Sequence, residues 1–501
     1  MARDMQIAII GAGFAGLGMG VRLKQAGFEN FTIYEKEDGV GGTWRVNTYP
    51  GAACDVQSHL YSFSFEQNPD WSRMFGTQQE ILDYLEHVAD KFQLRPHLRC
   101  HREAVGAEYD ERQGIWRISF SDGEVVEANV VVSGAGGLSR PALPNIPGID
   151  DYEGTMFHSA RWRHDVDLTG KRVAVIGTGA SAIQIVPQIA PLVGKLDLYQ
   201  RTPPWILPKP DRPVRDWEKL LYRHAPGALT AQRLRLYSTL ELRVLGFTHP
   251  QVMKPFELAA KRFLKSQVPD PELRKKLTPN YTIGCKRILL ANDYYPALMR
   301  DNVELISGGA AALTAGGVVD KQGVERPADV VVMCTGFYAA ENVAPFPILG
   351  RGGRSLDDAW RDGPEAYLGT TVHGFPNAFL IVGPNTGLGH SSMVYMIESQ
   401  INYIMSALKQ MDLFRLKSVE VREDVQHRYN ERLQKRLART VWNTDCASWY
   451  KTASGKNTTL WPSFTFAYRA RTRLFQPWNY HLEPGLQPAR GTVQPPRLEV
   501  V

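Results

Sequence analysis

Two short glycine-rich stretches carry most of the chemistry this chain advertises. Gly11-Ala12-Gly13-Phe14-Ala15-Gly16 follows an apolar run, MQIAII at 5–10, and opens a helix-like stretch that ends near Gly27. In such a βαβ unit the first glycine permits a tight turn and the second lets a pyrophosphate approach bare backbone. The third lets the helix pack close to the strand with its positive N-terminal end at the phosphates. A second apolar run at 31–34 closes at Glu35, 24 residues after Gly11, where a carboxylate accepts hydrogen bonds from a ribose. Phe14, Ala15 and Lys36 belong to the same expected cofactor-binding set.

The unit then recurs. RVAVI at 172–176 leads into Gly177-Thr178-Gly179-Ala180-Ser181-Ala182, with Ala182 in place of the third glycine, and the next strand closes at Arg201, again 24 residues on. The acid has become an arginine followed by Thr202, and a cation there suits a ribose bearing a 2′-phosphate. The first copy is therefore expected to hold FAD or NAD and the second NADP. Two such sites imply hydride passing from a nicotinamide to a second redox carrier, for which FAD is the natural receiver. A disulfide reductase would need a paired-cysteine motif, yet the closest cysteines, Cys54 with Cys100 and Cys285 with Cys334, are 46 and 49 positions apart. Oxygen remains the simplest acceptor.

The elements that must position these residues come from an ordinary globular composition. Of 501 residues 43% are hydrophobic and 22% charged, which is wrong for a disordered, collagenous or coiled-coil chain. The net charge of +6 is spread without like-charge blocks, far from a nucleic-acid footprint, and a small anionic ligand fits better. Five scattered cysteines argue against a disulfide framework or a zinc knuckle and point to a reducing, cytoplasmic compartment; no metal site is expected. The N-terminus runs into a strand pattern without the features of a signal peptide. Two stretches without Asp, Glu, Lys or Arg, 173–194 and 367–397, are interrupted by glycine, proline and asparagine, so each reads as buried strand, turn and helix rather than a membrane span.

Two further motifs carry a family resemblance. Gly41-Gly42-Thr43-Trp44-Arg45-Val46-Asn47-Thr48-Tyr49-Pro50-Gly51-Ala52-Ala53-Cys54-Asp55 resembles, at every fixed position, a fingerprint of type I Baeyer-Villiger monooxygenases. The stretch 152–163, YEGTMFHSARWR, resembles their other fingerprint, with Gly154, His158 and Trp162 in register and Tyr152 and Arg163 departing. Flavin-containing monooxygenases that oxidise nitrogen and sulfur look similar there but usually lack this Trp. The resemblance runs from about residue 5 to about residue 480, since Thr335-Gly336, Gly374-Phe375-Pro376-Asn377 and Gly383-Pro384-Asn385 also fit.

The resemblance implies that NADPH reduces FAD, that O2 adds to give a C4a-peroxyflavin, and that this peroxide converts a ketone into an ester or lactone. It places the catalytic cation at Arg287, where a preorganised charge in a water-poor site gives the largest electrostatic benefit. Asp55 would pair with Arg287 and tune its field, and Lys286 would help bind the 2′-phosphate. His158 is expected to act as a hinge between nucleotide modules rather than as a general base, with a plain structural role close behind. Trp449 sits where the family uses an indole on a mobile loop to contact NADP, although a core tryptophan is the blander reading. Thr43, Trp44, Val46, Tyr61, Val105 and Met393, with Gly42, resemble the flavin-lining set.

The expected fold class is α/β, with two Rossmann-like dinucleotide-binding domains and a helical insertion. Residues 1–145 would open the FAD domain, 150–340 form the NADP domain with an insertion at about 205–280, and 341–501 complete the FAD domain and end in a tail. From 211 to 276 there are 14 Lys and Arg against 7 Asp and Glu. This basic segment is expected to be a lid over the active site, with transient contact to a membrane surface as the alternative. The tail after Glu483 is expected to be poorly ordered. Three functions stay open: a Baeyer-Villiger enzyme acting on a small-molecule ketone, a heteroatom monooxygenase making sulfoxides or N-oxides, and a silent FAD- and NADP-binding protein.

Overall fold

Runs of Ile and Val with both faces buried make the centres of two parallel sheets. The computed structural model describes residues 4–338, 345–444, 446, 448–452, 454–489 and 491–493. The first sheet orders Ala378–Leu380, Val130–Ser133, Ile7–Ile10, Phe31–Tyr34 and Leu98–Arg99, all parallel. The second orders Thr155–His158, Val330–Met333, Arg172–Ile176, Lys195–Gln200 and Val303–Ser307, again all parallel. In each, the strand leading into the glycine motif lies between the strand that closes at Glu35 or Arg201 and a strand that follows an antiparallel meander.

Those meanders match as well. Ala104–Asp110, Ile115–Phe120 and Val125–Ala128 form one, and Ala310–Thr314, Gly317–Asp320 and Glu325–Pro327 form the other. The duplication seen in the glycine motifs thus extends over both nucleotide modules. The edge strand Ala378–Leu380 brings late chain back to the first sheet. The boundary expected at 340/341 lies outside the described residues.

The glycine helix Phe14–Gln25 is almost wholly buried and packs against the long helix Met393–Leu413. Between the strand Lys195–Gln200 and the short strand Leu289–Leu290 come five α-helices, Asp216–His224, Ala228–Leu242, Val244–Thr248, Lys254–Gln267 and Pro271–Leu277. They lean on both neighbours. Arg233 donates to Ser62 Oγ at 2.8 Å, and Glu241 accepts from the backbone N–H of Thr465 at 2.8 Å. No helix among the described residues is long and apolar enough to cross a membrane.

Two expectations meet findings that bear on them. Of the tail after Glu483, Gly491–Val493 adds to Val125–Ala128 as an outer strand, while residues 490 and 494–501 lie outside the described residues. The cysteines are not all unpaired, since Cys285 and Cys446 form a disulfide across 161 positions. Spacing alone conceals a cross-link of that reach.

Candidate active site

Each glycine motif is built around a close approach of backbone. Gly11 has φ of +99° and donates its N–H to Tyr34 O at 2.7 Å, while Gly177 has φ of +110° and donates to Tyr199 O at 3.0 Å. A Cβ on Gly11 would stand 2.7 Å from Gly134 O, and one on Gly16 would strike Gly11 O. These turns aim the N-terminus of helix Phe14–Gln25 at open backbone, the arrangement that cradles a phosphate. Gly13 and Gly42 face each other, and a Cβ on Gly42 would come within 3.0 Å of Gly13 Cα. Glu35 is fixed at the strand end, accepting from the N–H groups of Ala12 at 2.7 Å and Glu37 at 3.0 Å. Lys36 reaches Ser139 O at 3.3 Å.

An aromatic wall stands beside this cradle. Thr43, Trp44 and Val46 share the short helix Thr43–Val46, and Trp44 donates its indole N–H to Tyr61 at 3.2 Å. The Tyr61 ring in turn meets Phe14 edge-on, with centroids 5.1 Å apart. Met393 begins the helix behind Ser392, its cap. Val105 is placed differently. It lies on the neighbouring meander, 46% exposed, three residues beyond Arg102, whose N–H donates to Glu35 O at 2.8 Å.

Residues 41–55 join the two modules. Tyr49 donates to the Gln184 side chain at 3.0 Å, and Gln184 donates to Ala53 O at 3.0 Å. Gln184 belongs to helix Ala182–Ile189, which follows the second glycine motif. At the end of this bridge Asp55 Oδ2 accepts from Arg287 Nε at 2.8 Å and from an Arg287 terminal nitrogen at 2.5 Å. Both side chains are 37% accessible, so the pair reaches solvent. Asp55 raises the pKa of Arg287 above the usual guanidinium value, outweighing burial, so Arg287 remains a cation. Tyr450 is buried beside the pair; burial pushes its hydroxyl up to about 12, with Arg287 pulling the other way and Asp55 adding to the rise.

Two more cations, Lys286 and Arg201, lie near one another beside the second glycine loop. Lys286 has its pKa lowered, first by burial and then by Arg201, and its ammonium lies 4.8 Å over the Tyr281 ring. Among the described residues neither Lys286 nor Arg201 has a carboxylate partner, so their mutual repulsion stands uncompensated and an anion would relieve it. Thr178 donates to Thr202 O at 3.1 Å, holding the Arg201 turn against the glycine loop. Gly179, Ala180 and Ser181 are at least partly exposed along that loop, while Ala182 is buried at the start of its helix.

The remaining sequence-predicted residues separate by role. His158 ends a strand of the second sheet, is buried, and accepts from Ala160 N–H through Nδ1 at 3.1 Å. Burial lowers its pKa, which keeps it neutral and suits a structural joint rather than a base at the reacting centre. The departures from the second fingerprint are accommodated. The extra hydroxyl of Tyr152 donates to Ala328 O at 3.0 Å, and Arg163 is exposed and paired with Asp165. Trp449 is 48% exposed rather than core, stacked obliquely on Tyr450 at 4.5 Å. Gln184 and Tyr450 went unread in the sequence, because neither stands in a spaced motif. The Cys285–Cys446 link was missed for the same reason.

Comparisons with known proteins agree with this geometry. A family model described as pyridine nucleotide-disulphide oxidoreductase matches residues 8–217. A Baeyer-Villiger monooxygenase of Pseudomonas aeruginosa is 56% identical over 484 residues, covering 96% of this chain and 92% of that protein. One from Streptomyces coelicolor is 48% identical over 472 residues, 94% of this chain and 91% of its own length. Among solved structures, the closed form of a cyclohexanone monooxygenase superposes with a TM-score of 0.85 at 29% identity, covering 97% of this chain and all of that one (100%). An oxidised steroid monooxygenase bound to NADP gives 0.83 at 31% identity, with 96% and 99% covered.

Proposed function

The chain belongs to the Baeyer-Villiger monooxygenase family, and from that premise we propose that it uses FAD and NADPH to insert one oxygen atom beside a ketone carbonyl. The balanced reaction is ketone, O2, NADPH and a proton giving ester or lactone, NADP+ and water. The observation that carries this reading is the Asp55–Arg287 pair at the meeting of two dinucleotide frames.

The cradle of Gly11, Gly13, Phe14, Ala15 and Gly16 with Glu35 and Lys36 fits FAD, since glycine faces glycine across it at Gly13 and Gly42 and a side chain there would fill the passage. Thr43, Trp44, Val46, Tyr61 and Met393 wall its ring end, and Val105 stands toward its ribose end. The loop 177–182 with Arg201, Thr202 and Lys286 fits the phosphates of NADPH, the two mutually repelling cations taking the 2′-phosphate. On this reading residues 1–145 and 341–501 form the FAD domain and 150–340 the NADP domain. The helical insertion is a lid over the active site, and the cytoplasm is the compartment that supplies NADPH.

When bound, the flavin supplies two-electron reduction and the activation of O2. The chain's own residues then do the rest. Arg287 presents a fixed positive charge where negative charge builds on the reacting oxygens, and Asp55 holds the guanidinium plane in place. Trp449 and Tyr450 close the cofactor side and keep water from the reacting atoms.

The test is a product assay. The purified holoenzyme with NADPH and air is offered cyclic, linear and aryl ketones and one thioether, with products identified by mass spectrometry. An ester or lactone carrying one added oxygen is expected. A sulfoxide alone, or peroxide alone with NADPH consumed, would overturn the assignment.

A further inference from the structure

Cys285 and Cys446 are joined by a disulfide with Cα atoms 6.4 Å apart. Cys285 directly precedes Lys286 and Arg287, and Cys446 lies just ahead of Trp449 and Tyr450. The bond therefore runs from the segment of the active-site cation to the loop whose tyrosine lies beside that cation.

Little else described ties the two together. Cys446 N–H donates to Thr444 O at 2.8 Å, Lys451 N–H to Ser448 O at 3.2 Å, Lys451 Nζ to Thr444 O at 3.0 Å, and Thr458 N–H to Tyr450 O at 3.2 Å. Each of these stays inside the C-terminal segment, and among the described residues no hydrogen bond runs from 444–451 to 281–287. The remaining support is packing: Trp442 stacks on Phe247 with centroids 5.2 Å apart, and Tyr450 is buried in the same cluster as Ile283. Packing of this kind is adjustable, whereas a covalent link removes every conformation in which the loop swings away.

We infer that Cys285 and Cys446 are positioning residues, whose disulfide holds the Trp449–Tyr450 loop against the Arg287 segment and whose reduction frees that loop. The inference rests on the functional reading above for what the loop does: it retains the NADP cofactor and keeps water from the reacting oxygen. Reduction is balanced by a dithiol. One thiolate attacks a sulfur of the bond, the second thiol resolves the mixed disulfide, and two electrons and two protons pass to Cys285 and Cys446 while the dithiol becomes a disulfide.

The other thiols are poor competitors. Cys54 and Cys334 are buried, and burial raises both thiols, that of Cys334 to about 12, so they stay protonated. Cys100 is only partly exposed, and burial raises its thiol too. Opening the bond changes the loop and leaves the glycine cradles, which lie on other elements, intact. The link therefore acts on cofactor retention rather than on flavin binding.

The experiment uses the full-length holoenzyme in three states: air-oxidised, reduced with dithiothreitol and cleared of it, and reoxidised. Alkylation under denaturing conditions and peptide mass spectrometry map the thiols. The NADP+ dissociation constant and the peroxide released per NADPH consumed are read in each state. We expect a Cys285–Cys446 peptide only in the oxidised states. On reduction the dissociation constant should rise by about threefold or more, the scale on which restraining a loop changes apparent affinity. The peroxide share should rise with it, and both changes should reverse on reoxidation. Cys446→Ser should sit at the reduced value and ignore the dithiol, whereas Cys100→Ser should behave as the parent protein.

Two free thiols in the air-oxidised enzyme would overturn the inference, as would a clean opening of the bond with no change in NADP+ affinity or peroxide release. Reduction of the unaltered protein keeps the test decisive if Cys446→Ser does not fold. If no ketone were oxygenated, the thiol map and the NADP+ constant would still decide this point, so the two failures are separable.

Discussion

Arg287 reaches Asp55 across 232 positions of sequence and donates two hydrogen bonds to a single carboxylate oxygen, Oδ2, at 2.8 and 2.5 Å. One partner ends the bridge that starts at Gly41, and the other lies just beyond the helical insertion. A guanidinium held in this way cannot lose its proton in the working pH range, because Asp55 raises a pKa that is already very high. The permanence of that charge suits the role proposed for Arg287.

Replacing Asp55 by Asn keeps the shape and removes the charge. The cation at Arg287 survives but loses its orientation, so ester formation should fall by about tenfold, less than on loss of the cation itself. Steady-state product measurement checks this, with Asp55→Glu expected to restore part of the rate. Equal losses for Asp55→Asn and Arg287→Ala would contradict the division of roles.

Lys286 and Arg201 should govern the choice of nicotinamide cofactor. A charge-assisted hydrogen bond contributes about 1.5–3 kcal/mol, so Lys286→Ala and Arg201→Ala should each raise the KM for NADPH by roughly tenfold or more. The KM for NADH should change far less. A parallel rise for both cofactors would place the 2′-phosphate elsewhere.

The same pair predicts a pH effect. Burial and Arg201 both lower the pKa of Lys286, so it sheds its proton at a pH below the ordinary lysine range. Affinity for NADPH should therefore weaken on the alkaline side earlier than an exposed lysine would allow. Lys286→Arg, which stays charged, should flatten that limb of a plot of KM against pH.

The glycine cradle is tested by volume alone. A Cβ at Gly16 would strike Gly11 O, and one at Gly11 would stand 2.7 Å from Gly134 O, so Gly11→Ala and Gly16→Ala should purify with little or no flavin. Gly179→Ala meets nothing within 4 Å and should keep normal flavin content. Absorbance of the bound flavin against protein reads the difference directly.

What could be read in advance was what lies close in sequence. The turns at Gly11 and Gly177, the strand ends at Glu35 and Arg201, and the parallel order around them follow from local spacing, because a βαβ unit forces its phosphate loop and ribose partner about one helix and one strand apart. Arg287 and Asp55 were reachable only through the family resemblance, since a Lys-Arg pair before a strand looks like surface charge. Tyr450, Gln184 and the Cys285–Cys446 link were not legible at all. Each acts through a contact between distant segments, and nothing in its neighbouring residues distinguishes it from ordinary core or surface. The pairing of Gly491–Val493 with Val125–Ala128 was hidden for the same reason, behind a glycine- and proline-rich composition.

The most direct measurement separates the two half-reactions in Arg287→Ala. Anaerobic mixing with NADPH, followed by flavin absorbance, reads reduction; the aerobic reaction with an accepted ketone, followed by mass spectrometry, reads oxygen insertion. The account predicts reduction within a few-fold of the parent protein and ester formation lower by at least about 100-fold, the scale for removing one preorganised electrostatic group. Undiminished ester from Arg287→Ala would contradict it.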